Sequence, residues 1–256
     1  MLLAIDIGNT TINIGLFKKD RLLLIRKINT RKSKDLRYYH SAFAPLMQKM
    51  AISDVIISSV VPEVTNILKR VFKEKLNLKP RILGQNCRVP ITNLYKNPKQ
   101  VGQDRLVNAY AGYKKFGGGL IIIDFGTAVT FDVVSRKGSY KGGIISPGLE
   151  PSVHTLSEMA TLLPVIKLKK PRSLIGRDTY TSMLSGVLNG YGALCNGLIV
   201  KIRKEMRSRF KTILTGGHAR LISKFCDFDY IEPNLTLEGL RSIHKFLLTK
   251  TAKSVK

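Results

Sequence analysis

The chain has 256 residues, of which 44% are hydrophobic and 23% charged, so it can bury the core of one large domain or of two smaller ones. No segment approaches the roughly 18 apolar residues of a membrane span, and Asp6 interrupts the amino-terminal apolar run before it reaches signal-peptide length. The 43 basic against 17 acidic residues give a net charge of +26, which would attract polyanions. We therefore expect a cytoplasmic protein without a membrane span.

The first predicted element is a β-hairpin at the amino terminus, in which two apolar strands flank a polar turn. Asp6 ends the first strand, where a carboxylate is costly to bury unless its charge is satisfied. Gly8 would let a phosphate approach the backbone, and the segment 9–11 supplies hydrogen-bond donors. The turn predicts a phosphate site in which Asp6 holds Mg²⁺ or its waters, and an ordinary Asp-x-Gly turn is the alternative.

The segments after this hairpin predict a mixture of helices and strands. An amphipathic segment near residues 38–50 precedes an apolar strand over 55–61, which Pro62 ends. A helix near 63–76 has its apolar residues at helical spacing, and a short strand near 81–83 follows.

Next, an acid and a base follow Gly102 at the start of a predicted helix over 106–116. An acid at a helix amino terminus is favoured electrostatically, so helix capping is one interpretation of Asp104. In the other, Asp104 is a general base that accepts a substrate hydroxyl proton, and Arg105 holds an anionic substrate or the transferring phosphoryl group. The spacing favours neither interpretation.

A second hairpin over residues 121–134 repeats the layout of the first. Asp124 stands where the first hairpin has Asp6. Gly126 likewise corresponds to Gly8. Two such acidic hairpins are what a nucleotide clamp would use, and this repetition favours the phosphate-site interpretation of both turns.

The second half continues with further mixed elements. They are a glycine-rich turn over 141–148, a helix near 151–160, a long helix near 179–210, a strand over 212–214 leading into Thr215-Gly216-Gly217, and a helix near 237–248. Neither a P-loop nor a GxGxxG motif is present, which disfavours the common nucleotide folds. The matching halves predict a duplicated α/β fold, with domains over 1–116 and 117–256 and a cleft between them.

The cysteines and histidines form no metal-binding or disulfide pattern. Cys87, Cys195 and Cys226 lie far apart, and the four histidines make no HxxxH pair. We expect free, buried and inert thiols and no protein-bound transition metal. The basic residues are dispersed and accompany no RNP-like pattern, zinc knuckle or helix-turn-helix, so a basic surface without a nucleic-acid site is favoured over nucleic-acid binding.

Six motifs occur in the order seen in type III pantothenate kinases, and the sequence resembles that family from residue 2 to about residue 240. They are Asp6-Ile7-Gly8-Asn9-Thr10, Gly102-Gln103-Asp104-Arg105, Asp124-Phe125-Gly126-Thr127, Gly142-Gly143-Ile144-Ile145-Ser146-Pro147-Gly148, Thr215-Gly216-Gly217 and Leu235-Thr236-Leu237-Glu238-Gly239. The family consists of actin-like, hexokinase-like phosphotransferases, so the resemblance implies two ribonuclease H-like domains.

The resemblance also implies an activity and its site. The reaction is ATP- and Mg²⁺-dependent phosphorylation of pantothenate to 4′-phosphopantothenate, the first step of coenzyme A biosynthesis. Asp104 would be the base that acts on the pantothenate hydroxyl, and Asp124 would hold a monovalent cation, K⁺ or NH₄⁺. The implied ATP-binding residues are Asp6, Ile7, Gly8, Asn9, Thr10, Thr11, Ile12, Asn13 and Thr127. The implied pantothenate-binding residues are Tyr95, Gly102, Gln103, Asp104, Arg105 and Thr179.

Thr179 would reach pantothenate from the partner subunit of a homodimer, again by resemblance. The sequence departs from the family at two places: Gln103 stands where a small residue is expected, and Asp178 where asparagine is usual. Both put substrate affinity in doubt more than the reaction. Two alternatives stay open: another small hydroxyl compound as acceptor, and a regulatory, nucleic-acid-binding relative with the same fold.

Overall fold

The computed structural model describes residues 1–31 and 36–254, which form two compact units. The first unit contains Met1–Ala111 and the segment from Thr236 onward, and the second contains Gly112–Leu235. Each unit is built around one five-stranded mixed sheet.

The first unit contains β1 to β5, α1, α2 and most of α3. In chain order the elements are β1 (Leu2–Ile7), β2 (Thr11–Lys18), β3 (Arg21–Asn29), α1 (Leu36–Lys49), β4 (Asp54–Ser59), α2 (Pro62–Leu76), β5 (Arg81–Ile82), a short 3₁₀ helix (Pro98–Gln100) and α3 (Gln103–Phe116). The strand order is β3-β2-β1-β4-β5. β1, β2 and β3 are antiparallel neighbours, whereas β4 and β5 run parallel to β1.

The second unit repeats this arrangement. Its elements and the final helix are β6 (Leu120–Phe125), β7 (Ala128–Val134), β8 (Tyr140–Pro147), α4 (Leu149–Met159), α5 (Thr179–Glu205), β9 (Lys211–Thr215), α6 (Ala219–Ile222), β10 (Tyr230–Ile231) and α7 (Leu235–Ser254). The order β8-β7-β6-β9-β10 matches β3-β2-β1-β4-β5, with the same antiparallel and parallel pairings. The duplicated α/β fold predicted from the two hairpins is therefore confirmed.

Alternation along the strands decides which side chains enter each core. In β1, Leu3, Ile5 and Ile7 are buried in one cluster with α1 and α2, where Phe43 and Phe72 meet edge to face at 5.4 Å. In the second unit, β6 and the buried side of α5 form the corresponding cluster. The other face of β1 carries Asp6, which leaves that carboxylate outside the α1–α2 cluster.

Three segments differ from the sequence prediction. β3 is an edge strand that the pattern does not predict, because its apolar residues run consecutively among lysines and arginines instead of alternating. The glycine-rich segment 141–148, predicted as a turn, is largely strand β8, which pairs with β7. The long helix predicted to residue 210 ends at Glu205, and Arg207 adopts a left-handed φ of 48°.

The carboxy-terminal helix groups with the first unit, whereas the sequence prediction places it in the second domain. Leu237 approaches Gly15 of β2, and Gly239 packs so closely on α3 that a Cβ there would press on Val107 and Ala111. The structural division after Ala111 also falls inside α3, five residues before the predicted boundary. Apolar packing of α7 on α3 and β2 accounts for this grouping.

Charged side chains attach α7 to the same unit at two places. Asp20 pairs with Arg241 and Lys245 on the surface. Nearer the core, His244 Nε2 lies 3.4 Å from Asp54 Oδ1, and Asp54 also pairs with Arg81. Burial lowers the pKa of His244, although the Asp54 carboxylate opposes that shift.

The burial of His244 predicts an acid-sensitive fold. Because the folded-state pKa of His244 is below its ordinary value of 6.5, the unfolded chain binds the proton more readily, and stability is lost as the pH falls through that range. We expect the free energy of unfolding, measured by urea titration, to decrease from about pH 7.5 to about pH 5.5 less in His244→Gln than in the wild type. His154→Gln, at an exposed position of α4, is the control and should keep the wild-type dependence.

In the part of the chain that the structure describes, α5 is the one helix long and apolar enough to cross a membrane. Its buried residues, among them Leu188, Cys195 and Ile199, belong to the core of the second unit. Such burial is what a core helix shows, and α5 therefore gives no indication of a membrane span.

Candidate active site

The parallel strands of the first unit end at one edge of its sheet. β1, β4 and β5 run in the same direction, and ligands of open α/β sheets bind outside the carboxyl ends of such strands. The backbone N–H of Val60, just after β4, donates to the carbonyl of Ile7 at the end of β1 at 3.0 Å. The segments that leave these two strands therefore run side by side.

Two hydrogen bonds to Gly8 hold the turn between β1 and β2, one within the turn and one from the residue after β3. The Gly8 N–H donates to the Thr11 carbonyl at 2.9 Å, and Thr30 donates through Oγ1 to the Gly8 carbonyl at 2.7 Å. A Cβ on Gly8 would lie 3.1 Å from the Thr11 carbonyl oxygen, which leaves little space for a side chain. Asn9 and Thr10 are exposed at the tip, where an anion could meet them.

Asp6 and Asn13 lie opposite each other in the β1–β2 register, and Asn13 Nδ2 donates to Asp6 Oδ2 at 3.5 Å. Both side chains are half-buried. Ile7 and Ile12, which also belong to the predicted ATP-binding set, are buried in the core. Only the backbone of these two residues could contact a ligand.

Asp104 lies in the first turn of α3, beside the end of β4. A Cβ on Gly102 would overlap Asp104 Oδ1 and would lie 3.7 Å from Val60 Cγ1. Glycine at position 102 therefore makes room for this carboxylate, and the contact brings Asp104 to the same sheet edge as the Gly8 turn. The need for glycine at position 102 cannot be recognised from the spacing of the motif alone.

The surroundings of Asp104 suit a general base. Its Oδ1 accepts a hydrogen bond from the Arg105 backbone N–H at 2.9 Å, so the carboxylate also serves the helix amino terminus. Burial raises the pKa of Asp104, and the bond from Arg105 opposes that shift only in part. A carboxylate with a raised pKa is a stronger base than an ordinary aspartate.

The neighbouring predicted substrate residues are held by local packing. The Gln103 side chain lies over Gly84, which has φ of +80° and follows β5. The extra atoms of Gln103, where a small residue was expected, are thus placed against that turn. The Arg105 side chain is buried. Tyr95 is half-buried, and its N–H donates to Asn93 Oδ1 at 3.0 Å.

In the second unit, three glycines surround the end of β6. A Cβ on Gly216, which has φ of +90°, would overlap Asp124 Oδ1, and one on Gly126 would lie 3.7 Å from the same atom. Gly148 is bonded to the exposed Thr127, since its N–H donates to the Thr127 carbonyl at 3.1 Å. A carboxylate with carbonyl oxygens nearby offers the oxygen ligands that a cation needs.

One contact near this turn has no signal in the sequence. His218 follows the Thr215–Gly217 turn, and its Nε2 lies 3.3 Å from Glu150 Oε1 in the first turn of α4. The His218 N–H also donates to the Phe125 carbonyl at 3.3 Å. Along the chain His218 lies 68 positions from Glu150 and 93 from Phe125, so only the fold brings these residues together.

Thr179 is the exposed first residue of α5. Asp178 caps that helix, because its Oδ1 accepts a hydrogen bond from the Thr181 N–H at 2.7 Å within a capping box. The unusual aspartate at 178 therefore has a structural role as the cap of α5.

The predicted site residues are divided between the two units. Tyr95, Asp104 and the Gly8 turn lie in the first unit, whereas Thr179, Asp124 and Thr127 lie in the second.

The sequence is similar to known proteins over nearly its whole length. The family profile described as type III pantothenate kinase matches residues 2–201. A protein of Geobacter sp. (strain M21) named type III pantothenate kinase is 40% identical over 251 residues, which cover 96% of this chain and 99% of that protein.

Solved structures show the same fold at low identity. A Campylobacter jejuni protein described as a Baf family transcriptional activator aligns over 96% of this chain and 99% of its own, with a TM-score of 0.61 and 20% identity. A ROK family glucokinase of Streptomyces griseus, solved with glucose and AMPPNP, aligns over 94% and 98% with a TM-score of 0.54 and 11% identity. These likenesses confirm the predicted actin-like fold of two ribonuclease H-like domains, and they concern the fold alone.

Proposed function

Because the chain belongs to the type III pantothenate kinase family, we propose that it transfers the γ-phosphoryl group of ATP to the primary hydroxyl of pantothenate. The products are ADP and 4′-phosphopantothenate, and the reaction is the first step of coenzyme A biosynthesis in the cytoplasm. The observation that carries the proposal is the half-buried Asp104, set against Gly102 at the sheet edge where the Gly8 turn also lies.

Asp104 is the base of this reaction. Its carboxylate takes the proton of the pantothenate hydroxyl as that oxygen attacks the γ-phosphorus, and the bond to the β–γ bridging oxygen breaks. The raised pKa of Asp104 supports this role, because a base that is too weak would leave the proton on the hydroxyl. Tyr95 and the segment 102–105 bind pantothenate around the base.

ATP is bound by the glycine-containing turns that follow β1 and β6. The Gly8 turn, with the exposed Asn9 and Thr10, meets the phosphates in the first unit, and Thr127 contacts ATP in the second. The bonds that hold the Gly8 turn support this assignment, since a preformed turn needs no ordering when the phosphates arrive.

Two cations complete the proposed site. Asp6 would hold the Mg²⁺ ion that accompanies ATP, and this ion would neutralise part of the phosphate charge. Asp124 would hold the monovalent cation, K⁺ or NH₄⁺, which supplies further positive charge near the nucleotide. A half-buried carboxylate bordered by Gly126 and Gly216 fits an ion that takes oxygen ligands.

The direct test is formation of 4′-phosphopantothenate from ATP and pantothenate, followed by mass spectrometry with Mg²⁺ and K⁺, and then with Na⁺ replacing K⁺. Product that requires K⁺ supports both the kinase activity and the cation role of Asp124. Folded protein that makes no product in either salt contradicts the proposal. A screen of other small hydroxyl compounds then tests a different acceptor. The comparisons give no support to the regulatory, nucleic-acid-binding alternative.

We further propose a homodimer in which Thr179 acts on the pantothenate site of the partner subunit. The support is an apolar surface that a monomer would leave in water. The residues before Thr179 expose large apolar side chains, namely Leu162, Val165, Leu174 and Ile175. On α5, Gly186, Gly190 and Gly197 have open space above them, and Val200 is 64% exposed. A second copy of this chain would cover these groups.

Subunit mixing tests the dimer. Thr179→Glu adds a carboxylate beside an anionic substrate, so it should raise the KM for pantothenate strongly while the helix amino terminus tolerates the acid. At a pantothenate concentration near the wild-type KM, where each variant alone is nearly inactive, a mixture of Thr179→Glu and Asp104→Asn proteins should regain about a quarter of wild-type turnover, because half of the dimers are mixed and each then has one intact site. No recovery after subunit exchange would show that Thr179 acts within its own subunit or not at all.

A further inference from the structure

Two cysteines that are distant in the sequence meet in the core of the second unit. Cys195 lies on α5 and is fully buried, and Cys226 follows α6 and is 8% exposed. Both are free thiols of one buried cluster, and each lies close enough to the other to change its ionisation. Cys226 Sγ in turn donates to the Ile222 carbonyl at 3.6 Å.

Backbone contacts on both sides fix this meeting. One turn before Cys195, Gly192 packs so closely that a Cβ there would overlap the Phe225 carbonyl oxygen. One residue after Cys195, Asn196 Oδ1 accepts a hydrogen bond from the Asp227 N–H at 2.8 Å. The segment 225–227 is therefore held along one turn of α5, with the two thiols between the anchoring contacts.

The two thiols differ in character. The neighbouring Cys195 thiol stabilises the Cys226 thiolate and lowers the pKa of Cys226, whereas the proximity of Cys226 and burial raise the pKa of Cys195. In the first unit, burial raises the pKa of the Cys87 thiol to about 11. Among the three, Cys226 is thus the thiol that ionises most readily, and ionised thiols react with oxidants.

We propose that Cys195 and Cys226 form a redox-active pair, which hydrogen peroxide converts into an intramolecular disulfide. The Cys226 thiolate attacks one peroxide oxygen, the O–O bond breaks, and the departing hydroxide takes up a proton to become water. The sulfur of Cys195 then attacks the sulfenic sulfur of Cys226, loses its proton, and releases the second water. Two thiols lose two electrons and two protons, and the peroxide is reduced to two waters.

The disulfide would tie α5 to the segment that continues from the Thr215–Gly217 turn through α6. The loop closed by the bond contains about 30 residues, so it should raise the melting temperature of the oxidised protein by several degrees. This inference does not depend on the kinase activity, and its readouts are independent of turnover.

The test uses a Cys87→Ser protein, in which the pair supplies all the remaining thiols. After peroxide treatment of the native protein and removal of the oxidant, thiols are counted in denaturant, and the chain is mapped by mass spectrometry without reduction. We expect both thiols to disappear, the intact mass to fall by about 2 Da, and one peptide pair linked through Cys195 and Cys226, all reversed by a reductant.

Cys195→Ala and Cys226→Ala in the same background are the controls, and neither should show the loss of about 2 Da or the rise in melting temperature. Thiols that survive peroxide in the native protein, oxidation of Cys226 to sulfinic acid while Cys195 stays free, or disulfides that join two chains would each overturn the proposal.

Discussion

Asp104→Asn is expected to lower kcat for pantothenate phosphorylation by about 10²–10⁴-fold, the usual contribution of a general base. Asparagine keeps the shape of the side chain and can still accept the Arg105 N–H bond, but it cannot take up the hydroxyl proton. ATP binding should persist, because the Gly8 turn does not use Asp104. The measurements are steady-state kinetics and ATP titration by calorimetry.

The control for Asp104 is Glu74→Gln, which removes an exposed carboxylate of α2 in the same unit and should leave kcat unchanged. Wild-type turnover in Asp104→Asn would leave helix capping as the only role of Asp104. The acidic limb of kcat/KM in the wild type should also lie above the range of an ordinary aspartate, because burial raises the pKa of this group.

The Asp104→Asn variant should also be more stable than the wild type at neutral pH. A folded-state pKa above the unfolded value means that stability is complete below the unfolded pKa and is lost as the pH rises through the folded pKa. Asparagine carries no charge and avoids this loss. The melting temperature of Asp104→Asn should therefore exceed that of the wild type near pH 8, and the difference should shrink toward acidic pH. Gain of stability with loss of turnover is the signature of a functional buried group.

Gly216→Ala is expected to reduce both stability and ATP use. Alanine at φ of +90° is strained, and its Cβ would overlap Asp124 Oδ1 and lie 2.7 Å from the Phe125 nitrogen. Backbone atoms of a central strand cannot move aside easily, so we expect the free energy of unfolding to fall by about 2–4 kcal/mol. Displacement of the Asp124 carboxylate should also raise the KM for ATP and the K⁺ concentration needed for activity.

Gly117→Ala separates these two causes in the same unit. Gly117 has φ of +78°, similar to that of Gly216, but no atom lies within 4 Å of its Cβ position. The backbone strain alone should therefore cost about 1 kcal/mol, with kinetics unchanged. Equal losses of stability in the two variants, or an unchanged KM for ATP in Gly216→Ala, would contradict the inference that Gly216 makes room for the Asp124 carboxylate. Denaturant unfolding and ATP kinetics at several K⁺ concentrations provide the comparison.

The local sequence was sufficient for the class of fold and for much of the candidate site. Asp6 and Asp124 were recognisable because each ends an apolar strand before a glycine turn, and their repetition predicted a duplication that the two sheets confirm. Helix α2 followed from its apolar spacing. These features depend on neighbours within a few residues, where backbone preferences and side-chain alternation act directly.

Long-range packing decided the rest. The closeness of Gly102 to Asp104 follows from side-chain orientation, and that of Gly216 to Asp124 follows from the pairing of β6 with β9. The grouping of α7 with the first unit and the meeting of Cys195 with Cys226 likewise depend on which surfaces bury each other. Such contacts join segments far apart in the chain, and neither periodicity nor turn chemistry identifies the partners. The reason is that the hydrophobic effect has no directional preference, so the complete fold decides which apolar surfaces are buried together.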